Sequence, residues 1–155
     1  MERKNPALPF SVASSLPNNP FPGMSRHLAG IGSFVWDGAR WVGIDGSTYF
    51  HAAGAGLLVR EPVIVIAGVA TRANALVHER GSGICVGLLN GLAAVRYSGL
   101  VGGFEGLVAG AQYHVGAAAG VLTNAPVPAN AAIIPMGMAI SDSEFFVRTG
   151  PEFPA

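Results

Sequence analysis

Short apolar runs separated by turn residues recur along this chain, and their spacing constrains the fold more than any other feature. From residue 57 onward the runs follow one another about every 8–12 residues. Glycine and proline, at 22 and 11 of 155 residues, supply many of the intervening turns. This pattern is typical of an all-β sandwich or barrel. We therefore predict an all-β fold, a small β-barrel or sandwich, with its main domain over residues 57–155.

The first 31 residues have a different character, because they hold five of the eleven prolines. Proline lacks the N–H that a helix interior or a central strand needs, so we predict an extended arm over residues 1–31 without regular structure. Apolar side chains are spread along this arm, which favours docking on another surface. The alternative is a loose tail or a strap on its own domain. The predicted partner-binding residues of the arm are Leu8, Phe10, Leu16 and Phe21.

A β-hairpin is predicted between the arm and the main domain, within residues 32–56. The segment FVWDGARWVGI places Asp37-Gly38 between two aromatic and β-branched runs, which is a strong hairpin signal. The small-residue segment 52–56 is predicted to be a linker. Trp36 and Trp41 flank the turn and are assigned to contacts with a capsid or a neighbouring subunit. Stacking on sugars or bases and cross-strand packing within the hairpin are the alternatives.

The sequence offers little support for catalysis. The single cysteine, Cys85, lies in an apolar run and excludes an intrachain disulfide. The four histidines do not show the spacing of zinc ligands, and Gly81-Ser82-Gly83 is too short for a nucleophile elbow. Lys4 is the only lysine, so the main domain has no phosphate-binding P-loop. We predict no enzyme activity, no metal and no cofactor.

Charge and hydropathy narrow the range of partners. Nine basic and nine acidic residues cancel, which argues against a nucleic-acid partner. Residues 106–141 contain no Asp, Glu, Lys or Arg, but glycines and prolines interrupt the segment, so no membrane span is predicted. The first residues also lack the apolar stretch of a signal peptide. Half of the residues are hydrophobic and 12% are charged, which favours apolar interfaces with other proteins.

The second half of the chain resembles a module of tailed-phage structural proteins. The resemblance lies in GLVAGAQYHVGAAAGVLTNAP, Gly106 to Pro126, and in IIPMGMAISDSEFFVRTG, Ile133 to Gly150. The upstream stretches VIVIAGVA and ICVGLLNG are similar to the β-barrel of small capsid decoration, or cement, proteins. The resemblance covers roughly residues 57–150.

The resemblance implies a structural role in a virion. Capsid decoration proteins are small non-catalytic β domains, usually trimeric, that clamp neighbouring capsid subunits. We therefore expect a homotrimer that is made in the host cytoplasm and binds the major capsid protein on the outside of the shell. One alternative is a head-fibre, tail-fibre or spike component that takes part in host attachment, and the other is an unrelated β-domain, including a small enzyme. The absence of heptads and of a repeated shaft sequence favours decoration.

Overall fold

The computed structural model describes residues 12–13, 16–45 and 47–149. These residues form strands and turns without a helix, so the predicted all-β class is confirmed. Fourteen strands lie in this part of the chain: β1 (Val12–Ala13), β2 (Ser25–Leu28), β3 (Gly32–Trp36), β4 (Trp41–Gly43), β5 (Thr48–Ala53), β6 (Pro62–Ile66), β7 (Val69–Arg72), β8 (Gly83–Leu89), β9 (Leu92–Arg96), β10 (Ser98–Val101), β11 (Gln112–Val115), β12 (Leu122–Thr123), β13 (Pro135–Ala139) and β14 (Phe145–Arg148).

The first nine strands form one sheet that closes partly on itself. Its strand order is β1-β2-β3-β4-β5-β7-β6-β8-β9, and β5 also pairs with β9. The β5–β9 ladder is antiparallel and runs from Thr48 opposite Arg96 to Ala52 opposite Leu92. Strands β5, β7, β6, β8 and β9 therefore pair in a closed ring, which removes two sheet edges that would otherwise be open.

Each strand of this ring contributes to a small apolar core. Val63, Ala70, Cys85, Ala93 and Val95 are buried in one cluster with Leu57, and Ala53 packs against it. The members are mostly small because five strands enclose little space. Side chains alternate across the strands, so the neighbouring residues Ile84, Val86 and Ala94 face the opposite way and belong to a second cluster.

The last five strands form a second sheet that packs on the first. Its order is β10-β14-β13-β11-β12, with antiparallel pairing throughout. Its inward side chains, such as Val115, Phe145 and Val147, share the larger core cluster with residues of the first sheet, such as Phe34 and Ile84. This cluster lies between the two sheets, and it gives the molecule the sandwich-like arrangement that the sequence pattern predicts.

The predicted hairpin is formed by β3 and β4. Trp36 pairs with Trp41, and a four-residue loop, Asp37–Arg40, connects the strands. Asp37 Oδ1 accepts hydrogen bonds from the N–H groups of Ala39 (2.8 Å) and Arg40 (2.9 Å). These two bonds, with a smaller contribution from the Arg40 guanidinium, hold the pKa of the Asp37 carboxyl below its ordinary value.

Two expectations about the N-terminal part are wrong. Ser25–Leu28 form strand β2, which lies inside the arm predicted to lack regular structure. The last proline of the arm is Pro22, so every residue of β2 keeps the N–H that a ladder requires. The segment predicted as a linker is also partly strand, since Ala52 pairs with both Leu92 and Val69. The hairpin is therefore continuous with the ring.

A carboxylate with little solvent exposure fixes the turn that leads into β6. Glu61, at 9% exposure, accepts bonds from Arg72 Nε (3.0 Å), Arg72 Nη2 (2.8 Å) and the Leu58 N–H (2.9 Å). We expect Glu61→Ala to lower the free energy of unfolding by about 2–4 kcal/mol, because Arg72 and Leu58 lose their acceptor. Urea unfolding measures this loss.

The matched control is the exposed pair of the hairpin loop. Arg40 Nε lies 3.7 Å from Asp37 Oδ2, and the Arg40 guanidinium lies 4.9 Å from the centre of the Tyr49 ring. Arg40→Ala should lower the free energy of unfolding by less than about 1 kcal/mol. Equal losses for the two variants would contradict a structural role for Glu61.

Candidate interaction surfaces

Several loops are joined by backbone hydrogen bonds into one continuous surface. The Ala75 N–H donates to Gly116 O (2.9 Å), and the Ala132 N–H donates to Ala75 O (2.8 Å). The Gly120 N–H donates to Ala73 O (2.9 Å). These bonds connect the loops between β7 and β8, between β11 and β12, and between β12 and β13.

Glycine is needed where these loops approach each other most closely. Gly120 has φ +75°, and a Cβ atom there would lie 2.7 Å from both Arg72 Nε and Glu61 Oε1. Because Glu61 also binds the Leu58 N–H, the loop between β5 and β6 joins the same surface. A Cβ atom at Gly116 would lie 2.8 Å from Val121 Cγ1. The backbone at Gly120 and Gly116 therefore lies directly against neighbouring side chains and leaves no room for a side chain of its own.

Large apolar side chains are exposed on these loops. Ile133 is 77% exposed and Val77 is 71% exposed. We call the set the loop surface, and its members are Leu58, Val59, Leu76, Val77, Val121 and Ile133. Exposed apolar residues scattered singly are ordinary, but six on neighbouring loops, four of them on loops joined by backbone hydrogen bonds, form a candidate interaction surface.

A second apolar area lies on the five-stranded sheet, on the side that faces away from the core. Leu100 of β10, Phe146 of β14 and Met138 of β13 are register partners across three adjacent strands. All three are exposed, as is Ile140 just after β13. We call Leu100, Met138, Ile140 and Phe146 the outer sheet face. Antiparallel sheets usually present polar side chains on a solvated face, so this apolar row also indicates an interface.

The residues predicted from the sequence to bind a partner differ in their exposure to solvent. Trp41 is 7% exposed and belongs to the core between the sheets, and Trp36 packs edge-to-face against it at 5.7 Å. Cross-strand packing therefore occupies both tryptophans, and Trp41 is not available to a partner. Leu16 packs on the same core, whereas Phe21 is 60% exposed. The remaining two, Leu8 and Phe10, lie outside the described residues.

The residues of both apolar surfaces were missed by the sequence reasoning. Val121, Ile133, Met138 and Ile140 come from the charge-free segment 106–141, which was the available signal. Periodicity could not locate the individual residues, because Val77 lies in a turn and Ile133 in an irregular loop rather than in strands.

An aromatic and polar cluster lies where β5 meets β9. Tyr97 Oη lies 2.6 Å from His51 Nε2, and the Tyr49 and Tyr97 rings pack edge-to-face at 5.8 Å. Burial, with a smaller contribution from the Arg40 charge, lowers the pKa of His51. Burial, followed by the nearby Tyr49, raises the pKa of Tyr97. The hydrogen bond between His51 and Tyr97 joins β5 to the residue that follows β9, so the cluster stabilises the pairing of these two strands.

A cleft of about 230 Å³ opens beside the hairpin and is lined by eight residues: Gly32, Ser33, Phe34, Gly43, Ile44, Asp45, Thr48 and Arg96. Arg96 Nε donates to Thr48 Oγ1 (3.0 Å) and lies 3.6 Å from Asp45 Oδ2. Arg96 Nη1 donates to the Leu100 carbonyl oxygen. Through Arg96, these bonds connect β5 and the turn before it to Leu100 of β10, and they pair the polar side chains of Asp45, Thr48 and Arg96 with one another.

The buried position of Cys85 makes a specific prediction about its reactivity. The side chain is fully buried in the ring, and burial raises the pKa of its thiol to about 11. At pH 8 the thiolate fraction should be roughly 100-fold below that of an ordinary cysteine, and burial slows access further. We expect a thiol reagent to label the native protein very slowly and the urea-unfolded protein at once. Fast labelling of the native protein would contradict the ring packing.

The described residues contain no group of three or more His, Cys, Asp or Glu side chains placed to hold a metal ion. Nor does this part of the chain contain a helix that is long and apolar enough to span a membrane.

Comparisons with protein-family models, with curated proteins and with solved structures found no match to this chain.

Proposed function

We propose that this chain is a structural virion protein that binds the outside of a phage capsid as a homotrimer and stabilises the shell. The observation that carries the proposal is the loop surface, which has six exposed apolar side chains, four of them on loops joined by backbone hydrogen bonds. Such a surface suits a fixed macromolecular partner, because burial of a large apolar side chain contributes about 1.5–3 kcal/mol. The resemblance of residues 106–150 to phage structural modules supports the major capsid protein as that partner.

Stabilisation of the shell follows from binding alone. A protein that binds the assembled shell and not its separate subunits stabilises the assembly by mass action. At a free concentration 100 times the dissociation constant, the gain is about 2.7 kcal/mol per site. Many sites on one shell make the total effect large. The chain has a formal net charge of zero and the loop surface is apolar, so attachment should depend only weakly on salt.

The test compares particles assembled with and without this chain during heating, at low and at high ionic strength. We expect particles that carry the chain to release their DNA at a higher temperature, by a similar margin in both salts. Equal rupture temperatures would refute the proposal. If the isolated chain bound host cells instead, a role in attachment would take its place.

A further inference from the structure

The outer sheet face carries two opposite charges at equal distances from its middle. Glu144, Phe146 and Arg148 are exposed and alternate with the buried Phe145 and Val147. Arg148 ends β14 and Glu144 immediately precedes it, so each lies two residues from Phe146, or about 7 Å along an extended backbone. Arg148 is the only Asp, Glu, Lys or Arg within the five strands of this sheet.

The apolar row of this face runs across the strands at the level of Phe146. Leu100 lies opposite Phe146 on one side, and Met138 lies opposite it on the other. The face therefore has an apolar middle, with the acidic Glu144 beside Ile140 towards one end and the basic Arg148 towards the other.

A second copy of the chain could cover this face with a two-fold axis in either of two directions within the interface plane. An axis parallel to β14 would place like charges together, Glu144 against Glu144 and Arg148 against Arg148. An axis perpendicular to β14 reverses the strand direction, so Glu144 of each copy faces Arg148 of the other. The same operation stacks each apolar row on its equivalent. Packed sheets lie about 10 Å apart, and extended Glu and Arg side chains can span that distance.

We propose that the outer sheet face binds a second copy of this chain through a two-fold axis perpendicular to β14, with two Glu144–Arg148 pairs flanking the apolar rows. The face is complementary to itself in charge as well as in hydrophobicity, which is the requirement for an isologous contact. This contact goes beyond the proposed function. It uses a different surface from the loops and forms in solution without a shell.

Sedimentation equilibrium of single and double charge reversals tests the arrangement. Arg148→Glu alone, or Glu144→Arg alone, places like charges opposite each other twice in one interface. Each should raise the dimer dissociation constant by roughly 30-fold. The double reversal restores both pairs, so its dissociation constant should return to within about threefold of the wild type. Phe146→Asp should abolish the dimer.

The matched controls are Glu79→Arg and Arg80→Glu, which change the net charge by the same amounts at exposed positions of the loop between β7 and β8, outside the outer sheet face. They should leave the dissociation constant unchanged. A wild-type chain that stays monomeric at all concentrations would overturn the proposal, as would a double reversal that fails to restore the dimer. If Phe146→Asp removed shell binding from a monomeric protein, the face would belong to the capsid instead. If the wild-type chain formed the dimer but did not raise the rupture temperature of the particles, the result would count against the proposed function and not against the dimer.

Discussion

Gly137→Ala should lower the free energy of unfolding by about 3–5 kcal/mol, the largest loss we expect from a single methyl group in this chain. Gly137 has φ +143°, and a Cβ atom there would overlap the carbonyl oxygen of Phe146 on the neighbouring strand. The overlap involves backbone atoms, so no side-chain rotation can relieve it. Strands β13 and β14 would have to separate, and their separation would disturb the core beneath Phe145 and Val147.

Gly99→Ala is the matched control for this prediction. Gly99 and Gly137 both pair with Val147, from opposite sides of β14. Gly99 also has a positive φ, +102°, but a Cβ atom there would meet nothing within 4 Å. Gly99→Ala should therefore lower the free energy of unfolding only by the cost of the backbone strain, about 1–2 kcal/mol. Urea unfolding of both variants separates the cost of backbone strain from the cost of atomic overlap. Equal losses in the free energy of unfolding would contradict the close approach of Gly137 to Phe146.

The double variant Val77→Asp/Ile133→Asp should weaken attachment to the capsid by at least about 100-fold. Each side chain contributes about 1.5–3 kcal/mol if the partner buries it, and 1.4 kcal/mol corresponds to a tenfold change in affinity. Both residues are largely exposed in the free chain, so the variant should fold normally. Co-sedimentation with particles that lack the chain measures the affinity.

Ile44→Asp/Ile66→Asp provides a matched control, since each of these isoleucines is 52% exposed and neither belongs to the loop surface. This variant should bind with unchanged affinity. The assignment of the loop surface to the capsid fails if the control loses binding while Val77→Asp/Ile133→Asp retains it.

The sequence determined the class of the fold because strand and turn signals are local. Asp37 and Gly38 favour a hairpin through their own backbone chemistry, and the structure places the hairpin there. The closed ring could not be predicted in this way. It depends on β5 pairing with β9, strands about 45 residues apart, and the choice of partner depends on tertiary packing.

The interaction surfaces were harder to predict for a related physical reason. Trp41 looked like a partner contact because aromatic residues are common at interfaces, but its cross-strand pairing with Trp36 buries it. The local sequence around Val77 and Ile133 does not signal exposure, because exposure depends on how these loops fold against the rest of the chain. Composition did indicate that apolar surface would remain, since residues 106–141 contain no Asp, Glu, Lys or Arg.

The most direct test of the proposed function is an image reconstruction of particles that carry the chain, compared with particles that lack it. The proposal predicts additional density on the outside of the shell at three-fold positions, into which three copies fit with the loop surface against the major capsid protein. Density confined to a fibre or to the tail, with none on the shell, would contradict it.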